Sequence, residues 1–371
     1  MKKLILFLMC TLLLTGCAND STTTVVEFST WGSASEIAII KNVINEYEKI
    51  SPNLKIRLHH IPQNYFKKLH LMLASGTEPD VMLINNQNLN AYSGYFETID
   101  KNKYDKLFYP NAIKSLSVLG ELKAVPRDVS TLVLYYNKSL LRKYGIQEPR
   151  CNWTYEDFLS VAAKLKKHSI YALPLENDIF YLYPFIMSNG EDVENLSSDN
   201  IEDYKSFKTF KELSLRHHYA PLDFELGALT GAEFFLAKKS AFYISGRWMT
   251  PKIREVADFD WDIINFPMGK MGSLVPCDST GWAVSKRSSV KNEAIAFVEY
   301  LASDKALREM AKSGLIVPAR ISASYSPEFL SSPPKSAWLF LDLAKRSKVV
   351  NYPKNYNKER DLINEKIKNS K

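Results

Sequence analysis

No apolar run after residue 14 is long enough to cross a bilayer, so the body of this 371-residue chain is expected to be soluble. Cysteine is scarce. Its four copies include no CxxC pair and no Cys/His spacing of the zinc type. The six histidines include two adjacent pairs, His59-His60 and His217-His218, and neighbours on a strand point to opposite faces. A metal site is therefore not expected, and no cofactor is implied. The chain lacks a GxSxG elbow, an HExxH pair and a Walker loop, which removes the commonest signatures of hydrolases and nucleotide-binding enzymes. There is no internal repeat, no long low-complexity segment and no extended linker. Length favours two domains, so the chain must cross between them on short segments, as in a hinge. A strong charge of one sign is also missing. The net charge of +7 falls to +5 without Lys2 and Lys3, and the Lys-rich C-terminal stretch is interrupted by Glu359, Asp361 and Glu365. That is a solvated helix face, and no nucleic-acid partner is expected.

What is present begins at the N-terminus. Lys2 and Lys3 precede an apolar stretch, Leu4 to Leu14, of signal-peptide length. It ends in Leu14-Thr15-Gly16-Cys17, which resembles the lipobox of bacterial lipoproteins. The resemblance implies a signal peptide over 1–16, lipidation of Cys17 and a polar tether over 17–23. The expected location is the cell membrane, lipid-anchored and facing away from the cytoplasm. With Cys10 in the signal and Cys17 as anchor, Cys151 and Cys277 remain; two isolated thiols are favoured over a disulfide.

Local patterns then alternate between strand and helix. Val25 to Ser29 is β-branched; Ile37, Ile40, Val43, Ile44 and Tyr47 recur at helical spacing behind a Ser33/Glu36 cap pair. Leu54–His60 alternates, Tyr65–Ala74 is helical with Gly76 as its stop, and Val81–Ile84 reads as a buried parallel strand. This order predicts an open α/β sheet, with ligand beyond the carboxyl ends of the strands, at residues 30–35 and 85–88. Later, Thr131–Tyr136, Tyr171–Leu175, Ser240–Ser245 and Gly281–Ser285 read as strands, and Val317–Arg320 as a turn. Thr154 and Asp157 are spaced to cap a helix running to Lys167.

Several separated motifs share one order: Phe28-Ser29-Thr30-Trp31-Gly32, Ser75-Gly76-Thr77-Glu78-Pro79-Asp80-Val81, Leu122 to Asp128 with Leu134-Tyr135-Tyr136-Asn137-Lys138, Asn152 to Phe158, Phe242 to Trp248, Gly281 to Ser285, and Val317 to Arg320. With the lipobox, they resemble the bacterial extracellular solute-binding proteins of the maltose- and oligosaccharide-binding type (family 1). The resemblance spans residue 17 to about 320. It implies a two-lobed periplasmic-binding-protein-like α/β fold (type II) with a hinge. Mapped here, lobe one is 24–130 and 278–320, and lobe two is 131–277 and 321–371. It also implies a monomer that hands a small solute, expected to be a carbohydrate, to the membrane subunits of an ABC permease.

A sugar offers hydroxyls at its rim and weakly positive C–H faces, so a cleft for it needs flat aromatic rings and polar side chains. The resemblance puts Trp31, Trp248 and Trp282 in that cleft; the alternative for each is core packing. Asn85, Asn86 and Asp128 stand at strand ends as candidate hydroxyl partners, against Asx turns or a carboxylate paired with Arg127. Asp80 and Glu36 are candidates that otherwise serve as turn or cap residues, and Arg320 one that otherwise forms a surface ion pair. Tyr183 and Phe185 form a second aromatic wall or belong to the core. The third strand ends in Leu83-Ile84-Asn85-Asn86, without the aromatic that several relatives carry, which leaves the identity of the sugar open. Two other functions compete: a binding module feeding a sensor rather than a permease, and a lipid-anchored glycoside hydrolase built on an Asp80/Asp128 pair.

Overall fold

A computed structural model describes residues 23–369. The signal segment, Cys17 and nearly all of the expected tether lie outside the described residues. Among the described residues ten strands occur in three sheets: β1 (Thr24–Thr30), β2 (Leu54–His60), β3 (Val81–Asn85), the two-residue strands β4 (Ser117–Val118) and β5 (Glu121–Leu122), β6 (Val125–Ser130), β7 (Val133–Asn137), β8 (Phe242–Ser245), β9 (Trp261–Ile264) and β10 (Asp278–Val284). The larger sheet has the order β2-β1-β3-β10-β6, the smaller β8-β7-β9, and β4 and β5 form a hairpin.

The first three strands follow from their sequences. Val81 to Ile84 are all buried, as expected of a strand covered on both faces. The helix Ala34–Ile50 buries the five residues that repeat at helical spacing. Gly76 ends the helix Tyr65–Ser75 at φ +72°, a backbone state that costs glycine little. Thr154 and Asp157 form the expected reciprocal cap. At Ser33 only half of that device exists. The hydroxyl accepts the Glu36 N–H at 3.3 Å, while the Glu36 carboxylate turns to Arg127.

Two local readings are corrected, and one strand was missed. Tyr171 makes a single bridge to Ser240, and no strand forms over residues 171–175. Val317–Arg320 is extended rather than a turn: Val129 N–H donates to the Val317 carbonyl and Ala319 N–H to that of Arg127, both at 3.0 Å. It continues the larger sheet beyond β6. The strand β9, whose four buried residues follow a polar loop, gave no clear periodic signal.

β10 is the long-range member. It returns to the larger sheet between β3 and β6, antiparallel to both. Its first residue, Asp278, therefore lies at the sheet edge where β1, β3 and β6 end. Opposite it, β6 carries one extra residue. Thr280 pairs with Asp128 and Gly281 with Pro126, so Arg127 bulges out of the ladder. A Cβ at Gly281 would come within 2.5 Å of the Val125 carbonyl oxygen, so this close approach admits only glycine.

After residue 320 the chain touches both sheets' surroundings. The Ser336 N–H and hydroxyl both donate to Asp262 beside the smaller sheet, at 2.9 and 3.0 Å. Further on, the Asn111 side chain donates to the Ser347 carbonyl at 2.9 Å, and Asn357 to Asn88 at 2.7 Å. Among the described residues no helix is long and apolar enough to cross a membrane.

Candidate functional site

The strand ends of the larger sheet face the turn after β8 across a cleft of about 410 Å³. Its lining includes Trp31 after β1, Asn85 at the end of β3, Asp128 and Ser130 on β6, and Asp278 and Thr280 on β10. Trp248, just after β8, closes it from the other side, with Leu315 and the buried Ile316 also in its lining. Tyr65 and Phe66 form its aromatic floor: Trp31 meets Tyr65 edge-on at 4.9 Å and Phe66 at 5.4 Å. On the far wall the Trp248 ring lies 6.3 Å from Phe180. A Cβ at Gly246 would sit 2.0 Å from the Trp248 ring, so glycine there gives the indole its place.

The polar half of the cleft is organised by the bulged Arg127. Its guanidinium donates to Asp128 at 2.7 Å, to Thr280 Oγ1 at 3.1 Å and to Glu36 at 2.9 Å. Asp128 also accepts the Thr280 N–H at 3.2 Å and its hydroxyl at 2.5 Å. Burial works against the Arg127 charge, but the Asp128 and Glu36 carboxylates outweigh it and hold its pKa above the ordinary value. Asp278 is different. Its Oδ1 is enclosed without a hydrogen-bond partner, and burial, helped by the charge of Asp128, pushes its pKa up to about 7. A carboxyl oxygen left free in a cleft is an acceptor waiting for a hydroxyl.

Linkage gives a test. A carboxyl whose folded pKa exceeds the unfolded value binds more protons in the native state, so stability falls as pH rises through that window. For Asp278 the window runs from 3.8 to about 7. Asp278→Asn is expected to melt a few degrees above the parent at pH 8, with the gap closing towards pH 4. Scanning fluorimetry across that range measures it, and equal midpoints at pH 8 would show that the carboxyl ionises without cost.

Of the nine candidate residues, Trp31, Glu36, Asn85, Asp128 and Trp248 line this cleft. The other four stand elsewhere. Trp282 is 2 % exposed and pairs with Leu83 and Val125 inside the larger sheet. It is a core residue because β10 carries it two positions in from the edge that Thr280 occupies. Asp80 lies at the opposite end of β3, where its carboxylate accepts the Glu27 N–H at 2.8 Å and the Ser288 hydroxyl at 2.6 Å. Asn86 is buried and clamps the start of β10, donating to the Cys277 carbonyl at 2.9 Å. Arg320 donates to the Ala302 carbonyl and stacks over Phe108. Tyr183 packs in a buried tyrosine cluster with Tyr352, and Phe185 packs against Phe210 and Phe266, away from the cleft. Asp278, Tyr65 and Phe66 were missed: the first opens a strand whose partner strands are distant in sequence, and the others read as ordinary helix residues. Cys151 is exposed and Cys277 buried, and both are free. Among the described residues no His/Cys/Asp/Glu group has the makings of a metal site.

Two α/β lobes facing each other across a cleft lined by aromatic rings and carboxylates define a solute-binding protein. The chain belongs to the bacterial extracellular solute-binding protein family, which it matches over residues 31–307, and is a binding protein rather than an enzyme. It is similar to the multiple sugar-binding protein of Streptococcus mutans, 23% identical over 296 residues, or 73% of this chain and 70% of that one. The maltodextrin-binding protein MdxE of Bacillus subtilis is 24% identical over 267 residues, or 67% of this chain and 62% of its own length. Among solved structures, an ABC substrate-binding protein of Listeria monocytogenes in complex with cycloalternan superposes with a TM-score of 0.83 at 20% identity, covering 94% and 93% of the two chains. The maltose-bound MalE3 of T. maritima gives 0.79 at 19% identity, covering 93% and 94%. Both likenesses bear out the two-lobed fold of the maltose-binding type.

Proposed function

We propose that this protein is the substrate-binding component of an ABC importer and takes up a carbohydrate, hanging from the outer face of the membrane by lipid on Cys17. The observation that carries the reading is the pairing, in one cleft, of indoles from opposite lobes with an acceptor-rich wall of Glu36, Asp128 and Asp278. Aromatic faces suit the C–H faces of a pyranose, and carboxylates suit its hydroxyls. The names of the relatives point the same way. Ligand bridging both lobes favours closure because only the closed state lets it touch both walls. Residues 24–130 with 278–320, against 131–277, are the proposed moving bodies, with the segment after 320 spanning them. The lipobox-like Leu14-Thr15-Gly16-Cys17 supports the anchor.

A thermal-shift screen of the purified protein against mono- and oligosaccharides, polyols and glycerol phosphates tests the ligand class. A ligand bound only by the folded form raises the melting midpoint with concentration. Neutral carbohydrates are expected to give the hits; a panel in which none does would end the carbohydrate assignment. Metabolic labelling with palmitate, lost in Cys17→Ala, checks the anchor.

A further inference from the structure

Next to Trp248 stands a side chain with an unusual environment. Arg247 is 0 % exposed, yet among the described residues it pairs with no carboxylate. Its guanidinium is stacked 4.4 Å from the Phe329 ring and 5.4 Å from that of Phe340. Nε donates to the Gly314 carbonyl and Nη2 to the Phe329 carbonyl, each at 2.9 Å, and Nη1 has no partner. Burial lowers its pKa to about 10, so it remains charged at neutral pH. A buried cation without a counter-ion is costly, and a fold gains little stability from one. Its position suggests what it does instead.

Trp248 belongs to the turn that follows the smaller sheet, whereas Gly314 opens the segment that joins the larger one. Leu315 and Ile316, directly after Gly314, line the cleft, and Val317 is hydrogen-bonded to β6 through Val129. Arg247 therefore ties the turn that carries Trp248 to the start of the segment that lines the other side of the cleft. Gly314 sits at φ +72°, and a Cβ there would come within 3.1 Å of the Arg254 guanidinium, so the position suits glycine. The planar fork of arginine bonds two carbonyls from separate segments at once, which an ammonium cannot do with the same geometry.

We propose that Arg247 is a positioning residue for solute binding, setting the spacing between the Trp248 indole and the Leu315–Ile316 segment of the cleft lining. The inference rests on the cleft being the solute site, and it extends that reading to a residue that never touches solute. Preorganised walls are what a shallow set of contacts needs to bind well.

The test separates positioning from bracing. Arg247→Met keeps length and apolar packing but removes the charge and both bonds. In the ligand-free protein its melting midpoint is expected to stay level or rise. Acrylamide quenching of the Trp248 component, isolated by difference against Trp248→Phe, is expected to increase. Affinity for maltotriose or raffinose, whichever the parent binds, should fall about tenfold or more. Arg247→Lys, which keeps the charge and one bond, should fall between, and it decides the matter if the Met variant does not fold. An unchanged Trp248 signal overturns the proposal. So does a lowered midpoint in which all the indoles move together, because that is a brace of the whole fold. If no sugar shifts the parent protein, the carbohydrate reading fails, while the ligand-free quenching still decides whether Arg247 positions the indole.

Discussion

Trp248→Ala is expected to abolish the response to carbohydrate while leaving the protein folded. The indole is half-buried, closes the cleft opposite Trp31 and, among the described residues, has only Phe180 beside it in an aromatic contact. Truncation removes one of the two flat faces and opens the cleft to water. Anchoring aromatics of this kind contribute about 2 kcal/mol or more on truncation, or at least ~30-fold in affinity. Calorimetric titration with the best sugar from the screen measures the loss. Trp282→Phe is the control with the opposite pattern. That side chain is 2 % exposed inside the larger sheet, so a smaller ring leaves a cavity and lowers the melting midpoint with little change in affinity. If the two variants behaved alike, the cleft would have been assigned to the wrong surface.

The second large effect is expected at Arg127. Its guanidinium is 8% exposed and holds two carboxylates, one of them, Asp128, only 3% exposed. Removing one partner of a buried ion pair leaves the other charged without compensation, which costs about 3–5 kcal/mol. Arg127→Met should therefore lower the melting midpoint by roughly 5–15 °C. Asp128 keeps its bonds from Thr280, which favours the lower part of that range. Combining Arg127→Met with Asp128→Asn should recover part of the loss, because the stranded charge is gone. The double-mutant cycle of midpoints reads that coupling directly. A loss of under 1 °C in the single variant would mean that solvent, not Arg127, balances the carboxylates. The ion pairs serve the site as well as the fold. They fix the Asp128 and Glu36 carboxylates at the cleft wall, so under the proposed function a ligand hydroxyl would meet acceptors already in place.

Much of this was legible before any coordinates. Capping residues, helical spacing and the buried run at Val81 to Ile84 act over a few neighbours, and each segment they specify formed as expected. The candidate cleft also lies where that order points, at the carboxyl ends of the strands, because the strand–helix–strand order already fixes which loops share one end of the sheet. The bulge at Arg127 was not legible. Nothing local distinguishes a paired from a bulged residue; the extra position exists only relative to β10, more than 140 residues later in the chain.

The amino-acid order alone determined the α/β class, the positions of most helices and strands, and the candidacy of Trp31, Glu36, Asn85, Asp128 and Trp248. Tertiary structure alone decided which candidates share a cleft. The insertion of β10 between β3 and β6 sends Trp282 into the core and brings Asp278 to the cleft, although the two lie on one strand. The reason is range. Periodicity and caps report interactions within a turn or a strand, whereas burial and access at a sheet edge depend on which distant strand becomes the neighbour, and in what register.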